Sequence, residues 1–152
     1  MARLRDPLLR QAYRIGYRLA RVWWWAAQPK ARGVKCVLTR QGEVLLVRHT
    51  YGDTTSWELP GGGVKRGEEP ADAARREVRE ELGLDIGDWN YLGELFARID
   101  RKRDQLWCFS SEIGDSDIEL DRAEIAEAGW FSRDRLPADA AGSVSRIVGL
   151  GA

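Results

Sequence analysis

The stretch "GGGVKRGEEPADAARREVREELGL", Gly61 to Leu84, sets a run of glycines in front of a densely charged segment. Proline is favoured in the first turn of a helix and glycine just after the last turn, so Pro70 and Gly83 mark the ends of a predicted helix. The stretch therefore predicts a glycine-rich loop followed by an amphipathic helix. Its arc suited to the core carries Ala74, Val78 and Leu82.

Three carboxylates share a second face of this predicted helix. At about 100° per residue, Glu77, Glu80 and Glu81 fall within an arc of about 100°. Like charges at this spacing repel one another, so a functional face needs a cation to offset them. Oxygen ligands favour hard ions such as Mg²⁺ or Mn²⁺, and the chain contains a single histidine, His49, which excludes a histidine-based centre.

The glycines allow the backbone to approach such an ion and an anionic ligand closely. Magnesium held by a few carboxylates keeps positions for water and for substrate phosphates. The combination predicts phosphate-ester or pyrophosphate chemistry, with the metal activating water. The plain alternative is a solvated helix face of Glu and Arg.

Strand-like segments surround the helix. Residues 33–39 and 43–50 predict a hairpin that turns at Gln41-Gly42, and further strands are expected at 89–99, 105–113 and 127–132. An acidic loop, Gly114 to Glu124, precedes the last of these strands. Several strands, one central helix and helices at the ends indicate a single α/β or α+β domain.

The N-terminal segment is basic, although Lys plus Arg and Asp plus Glu balance at 24 each over the chain. Residues 7–27 predict an amphipathic helix whose arginines, Arg14 and Arg18 among them, lie opposite an apolar stripe that includes Ile15 and Leu19. We therefore divide the chain into a basic helix, 1–32, and a domain, 33–152. The stripe is expected to pack on the domain or on a second copy in a homodimer, or to lie on an anionic membrane surface. Nucleic acid is disfavoured, because basic and aromatic residues do not alternate.

The remaining composition favours a cytoplasmic protein, with the membrane surface as the alternative location. No run of about 18 apolar residues is available to span a bilayer, and arginines interrupt any signal-peptide core. The two cysteines, Cys36 and Cys108, lie in separate strand-like runs and are expected to be buried free thiols.

Gly62 to Leu84 resembles the signature of the Nudix hydrolase family, Gly-x5-Glu-x7-Arg-Glu-U-x-Glu-Glu-x-Gly-U, in which U is a bulky aliphatic residue. The flanking stretches "LLVRHTYG", "WELPGGG" and "EIAEAGWFSRDRLP" are similar to the family as well, so the resemblance covers about residues 33–137. No position departs from the signature. It is filled by Gly62, Glu68, Arg76, Glu77, Val78, Glu80, Glu81, Gly83 and Leu84.

This resemblance implies an α/β/α sandwich on a mixed sheet, with the signature forming loop, helix and loop. It also implies hydrolysis, dependent on Mg²⁺ or Mn²⁺, of a nucleoside diphosphate linked to another group. By the same resemblance, Glu80 and Glu81 are the principal metal ligands, and Glu77 is a further ligand that serves as general base in some members. The carbonyl of Gly61 is a backbone ligand, Arg76 orients the carboxylates, and Glu68 supports the loop.

Many members use one more acid from outside the signature. Glu124, six residues before Trp130, is our first candidate, and Glu119 and Glu127 are the alternatives. Arg48 is a candidate phosphate contact, against an ordinary surface role. His49 is expected to be structural rather than a substrate contact.

Three hypotheses follow for the whole chain: a metal-dependent pyrophosphohydrolase, a non-catalytic nucleotide-binding module of the same fold, and a membrane-associated interaction protein. The module usually lacks a signature glutamate, and this chain retains them all. A nucleotide sugar, a nucleoside triphosphate, a dinucleoside polyphosphate and a capped RNA end all stay open as substrates.

Overall fold

A mixed sheet of six strands forms the centre of the molecule. The computed structural model describes residues 11–12, 14–20, 23, 32–99 and 102–152. The strands follow the order β4-β5-β1-β2-β6, with β3 paired to β1, and only the β1–β5 pair is parallel among the described strand pairs. The elements are α1 (residues 14–20), β1 (Arg32–Arg40), β2 (Glu43–His49), β3 (Gly61–Gly63), α2 (Pro70–Leu82), β4 (Asn90–Ile99), β5 (Lys102–Glu112), β6 (Ile125–Ser132) and α3 (Gly142–Leu150).

The sheet is buried on both faces, because apolar side chains alternate along its central strands. On β2, Leu45 and Val47 point to a core that α2 covers, while Val44 and Leu46 point to a second core that α3 covers. Helices thus lie on opposite faces of a mixed sheet. The α/β/α sandwich expected from the sequence is confirmed.

The β1–β2 hairpin opens shortly after its turn. The turn residues Gln41 and Gly42 have positive φ angles of 49° and 81°, as the hairpin prediction requires, and pairing continues as far as Thr39 opposite Val44. Beyond that point, the segment 57–63 inserts between the two strands. Glu58 exchanges backbone hydrogen bonds with Val47, and β3 pairs with the first half of β1.

Helix α2 begins and ends where its sequence predicts. Pro70 occupies the first turn, and Gly83 ends the helix in the left-handed conformation, with φ 67°. Ala74, Val78 and Leu82 are fully buried against the sheet. The inserted segment and α2 therefore meet at the place where the sheet opens, and the signature residues gather there.

Other elements differ from the sequence expectations. The glycines Gly61–Gly63 form a short strand, β3, where a loop was expected, and β6 begins at Ile125 rather than Glu127. The C-terminal helix α3, by contrast, agrees with the expectation of helices at the ends, and it buries Val144, Ile147 and Val148. In the predicted N-terminal helix, residues 11, 12, 14–20 and 23 are helical, and the rest of 7–27 lies outside the described residues.

Cys36 and Cys108 are buried free thiols, as expected. None of the helices in the described part of the chain is long and apolar enough to cross a membrane.

Candidate active site

The signature glycines bring the backbone against the acidic face of α2. A Cβ atom at Gly62 would lie 2.6 Å from Cδ of Glu77, and one at Gly61 would lie 2.0 Å from the carbonyl oxygen of Val34. Gly61 also has φ 145°, a conformation that side chains disfavour, and its amide donates a 3.1 Å hydrogen bond to Glu81 Oε2. Glycine is therefore needed here so that strand and carboxylates can touch.

Arg76 fixes the opposite side of the acidic face. Its guanidinium binds both carboxylate oxygens of Glu68, at 2.7 and 2.9 Å, and donates to the carbonyl of Gly63 at 2.8 Å. The same guanidinium contacts Glu77 at 2.6 Å and Glu80 at 3.5 Å. The hydrogen bond from Arg76 also lowers the pKa of Glu68. Arg76 thus joins the loop to the helix carboxylates, which is the geometry that its expected role requires.

Glu81 lies at the centre of the site and is almost completely buried. Its exposed fraction is 1%, and that of Glu77 is 6%. Burial, followed by the charge of Glu77, raises the pKa of Glu81 well above its usual value, although the Gly61 hydrogen bond opposes the shift. The helix therefore presents carboxylates that repel one another in a place shielded from water.

A loop outside the signature adds Glu124 to these acids. The amide of Asp121 donates to the carbonyl of Glu81 at 2.9 Å, and the amide of Thr50 donates to the carbonyl of Glu124 at 2.9 Å. These bonds tie the loop to the end of α2 and to β2, and the exposed fraction of Glu124 is 6%. The charge of Glu124 contributes to the raised pKa of Glu81, so the two side chains interact.

The alternative outside acids lie elsewhere. Glu119 is exposed, and its Cβ is 3.1 Å from the position that a Cβ on Gly83 would take. Glu127 is exposed on β6 and binds Arg48 at 3.1 Å. Of these candidates, Glu124 is the one that is buried beside Glu81.

Arg48 and His49 follow one another on β2 and have different surroundings. The Arg48 guanidinium pairs with Glu127 and Asp139 and stacks over the Trp57 ring at 4.4 Å. These contacts are structural, and a phosphate contact by Arg48 stays a prediction. His49 is buried, and burial, with the nearby charge of Lys35, lowers its pKa to about 4.

Sequence reasoning missed further polar residues at the site. Tyr51 is half-buried, and burial, then the charges of Glu81 and Glu124, raise the pKa of its hydroxyl, which therefore stays protonated. Lys35 Nζ donates to Glu58 Oε2 at 2.8 Å, beneath the inserted segment. Neither the Tyr51 loop nor the Lys35 strand carries a spacing signal that would have revealed this placement.

Arg18 of α1 is the least expected neighbour of the site. It forms an ion pair with Asp121, and its Nε lies 3.4 Å from Glu124 Oε1. The sequence placed Arg18 on the polar face of the N-terminal helix, opposite the apolar stripe. The side chain is instead half-buried against the acidic loop.

The donor set fits a hard divalent cation. A buried carboxylate whose pKa is raised by burial and by neighbouring carboxylates, as that of Glu81 is, is stabilised in its charged form by a nearby cation, and every side-chain donor here is an oxygen. As they stand, no three acidic, histidine or cysteine side chains of the described residues are arranged to hold an ion. Binding would therefore require carboxylates to turn towards a common centre.

Comparisons with known proteins identify the family of the chain. A family model of the NUDIX domain matches residues 29–148. An RNA pyrophosphohydrolase of Bartonella bacilliformis is 31% identical over 138 residues, covering 72% of this chain and 81% of the relative. A putative 8-oxo-dGTP diphosphatase of Bacillus subtilis is 34% identical over 106 residues, covering 66% of this chain and 65% of the relative.

A solved structure shares the fold. The crystal structure of a MutT NUDIX hydrolase from Burkholderia pseudomallei superposes with a TM-score of 0.74 at 20% identity, covering 81% of this chain and 98% of that one. The family model, which spans most of the chain, carries the assignment. The chain belongs to the Nudix hydrolase family, as its signature predicted.

Proposed function

We propose that the protein hydrolyses a phosphoric anhydride bond in a nucleoside diphosphate linked to another group. The proposed metal ligands are Glu77, Glu80, Glu81 and Glu124, together with the carbonyl of Gly61. The observation that carries the proposal is the burial of Glu81 beside Glu77 and Glu124, whose charges, together with burial, raise its pKa.

The residues of the site have separate proposed roles in such a reaction. A bound Mg²⁺ or Mn²⁺ would screen the phosphates and lower the pKa of a bound water. Arg76, held by Glu68, keeps Glu77 and Glu80 oriented for this task. Glu77 is the proposed acceptor of the water proton, by its match to the family position. The protonated Tyr51 hydroxyl is available as a hydrogen-bond donor towards the substrate.

A substrate panel with each divalent metal tests the reaction. ADP-ribose, nucleoside triphosphates, a dinucleoside polyphosphate and an RNA with a 5′-triphosphate represent the open classes. For ADP-ribose and the dinucleoside polyphosphate, phosphate is measured after a phosphatase is added, since hydrolysis creates terminal phosphates that the intact substrates lack. For the triphosphates, whose ends a phosphatase attacks directly, released phosphate and pyrophosphate are measured without it. Hydrolysis that needs Mg²⁺ or Mn²⁺ is the expected result, and full turnover in EDTA would remove the metal from the mechanism.

Replacing Glu81 tests the ligand set. Glu81→Gln is expected to lower kcat at least about 10²-fold, because it removes a charged ligand from the ion that stabilises the transition state. Asp72→Asn, an exposed change in the first turn of the same helix, is the matched control and is expected to leave kcat unchanged. A folded Glu81→Gln enzyme with wild-type turnover would show that the site lies elsewhere.

A further inference from the structure

Arg18 enters the acidic site from outside the signature. It pairs with Asp121 and lies 3.4 Å from Glu124, and its side chain is 19% exposed. Arg14, one helical turn earlier, is exposed. Of these two arginines on one helix, Arg18 is the one that the structure shows in contact with the acidic loop.

Arg76 is a second arginine that contacts acids of the site, and its guanidinium is held differently from that of Arg18. Arg76 contacts Glu77 and Glu80 but is also fixed by Glu68 and the carbonyl of Gly63. Arg18 contacts Asp121 and Glu124 from α1, a separate segment at the N-terminal end of the chain. The guanidinium of Arg76 is therefore held by the loop and helix of the signature itself, whereas that of Arg18 reaches the acids from a different element, α1.

We propose that Arg18 is a displaceable counter-cation of the active site, which neutralises Asp121 and Glu124 and competes with the divalent metal for Glu124. This inference rests on the proposed function, because it needs Glu124 to be a metal ligand. A carboxylate oxygen that faces a guanidinium is less available to a metal, and a positive charge beside the ion opposes its binding. By thermodynamic reciprocity, metal binding weakens the contact of α1 by the same factor.

The test is Mn²⁺ affinity, read from the electron paramagnetic resonance signal of free Mn²⁺ in titrations of the full-length protein. Arg18→Gln is expected to bind Mn²⁺ at least about fivefold more tightly than the wild type, and Arg18→Glu more tightly still. Arg18→Lys keeps the charge and is expected to lie closer to the wild type than Arg18→Gln does. Arg14→Gln and Arg14→Glu are the matched controls, because they change net charge equally on the same helix.

A second readout follows α1 in the wild-type protein. Hydrogen exchange of the amides of residues 14–20 is expected to accelerate when Mn²⁺ is added, and circular dichroism verifies that each variant is folded. Equal Mn²⁺ affinity in the wild type and Arg18→Gln, or an equal gain in the Arg14 variants, would overturn the inference. So would exchange that stays constant on Mn²⁺ addition. A wild-type protein that binds no Mn²⁺ would instead overturn the proposed metal site on which the inference rests.

Discussion

Gly62 and Gly87 show how differently two glycines of one chain are used. A Cβ at Gly62 would collide with the carboxylate of Glu77, whereas a Cβ at Gly87 would meet nothing within 4 Å. The atoms met at Gly62 belong to the end of a flexible side chain, so the fold can survive the substitution. The position of the Glu77 carboxylate is not kept, however, because the carboxylate must move to make room for the added methyl group.

Gly62→Ala is therefore expected to lower kcat about 10²-fold with little loss of stability, since misplacing a reacting group by about 1 Å has an effect of that size. Steady-state kinetics and thermal unfolding, with Gly87→Ala as the control, measure the two quantities. An active Gly62→Ala enzyme would show that Glu77 need not hold its observed position.

His49 provides a titration that a single resonance can report, because it is the only histidine of the chain. Burial and the charge of Lys35 lower its pKa from 6.5 to about 4. The Cε1 proton resonance, followed by NMR in EDTA, is expected to titrate near that lower value. As pH falls below 6.5, the unfolded chain takes up this proton before the folded one, so the free energy of unfolding decreases. A midpoint at or above 6.5 would contradict the buried, neutral state.

The shared position of the signature carboxylates on one helix could be predicted because it depends on local spacing. Glu77, Glu80 and Glu81 share a helix, and any helix with this sequence presents them together. Tyr51 and Lys35 come from other strands and loops. Their approach to Glu81 depends on how the sheet opens, which no local pattern encodes.

At the scale of elements, the loop before β6 is held in place by neighbouring elements and positions one acid, Glu124, at the site. Backbone hydrogen bonds from Asp121 to Glu81 and from Thr50 to Glu124 fix it at both ends. The position of Glu124 is thus determined by the backbone of two other elements, whereas Glu119 and Glu127 are exposed.

Glu124→Gln is accordingly expected to lower turnover more than Glu119→Gln or Glu127→Gln, because only its carboxylate lies beside Glu81. The same three variants, assayed at saturating Mn²⁺ and again at limiting Mn²⁺, separate a lost ligand from a general effect on the enzyme. A larger effect at Glu127 would place the outside ligand on β6 and would contradict the assignment of Glu124.

The ends of elements were predicted correctly where a residue has one strong conformational preference. Pro70 and Gly83 mark the ends of α2, and the Gln41-Gly42 turn marks the hairpin. Strand β3 was missed because glycine is depleted in strands. Here the glycines of β3 pair with β1 and let the backbone lie close to Glu77.

At the scale of the whole molecule, α1 contacts the loop before β6 through Arg18, and the division into a helix, 1–32, and a domain, 33–152, stays a prediction. The sheet begins at Arg32, and every signature acid lies beyond that point. Of the predicted apolar stripe, Ile15 is half-buried and Leu19 is exposed. Periodicity identified the helix but could not place Arg18, because an ion pair with a distant loop leaves no trace in local spacing.

A protein that begins at Pro29 is expected to retain metal-dependent hydrolysis, because it keeps the sheet, α2 and Glu124. If the stripe packs on protein, this truncation lowers the melting temperature or changes the oligomeric state. If the stripe lies on lipid, the full-length protein co-sediments with anionic vesicles and is released by salt, which screens the attraction. A folded truncated protein that binds Mg²⁺ yet hydrolyses nothing would make the helix part of the catalytic site.

The parallel pairing of β1 with β5 also sets the order in which the protein can be built. Val34 pairs with Trp107, far along the chain, and α2 lies between them in sequence. The core beneath α2 includes Trp107 and Phe109, so on the ribosome the acidic helix emerges before the surface that receives it is complete. Non-local pairings of this kind close slowly, since the chain entropy must be lost before the contacts form. The nascent chain is therefore expected to acquire its hydrolytic centre only after β5 has been synthesised and has docked.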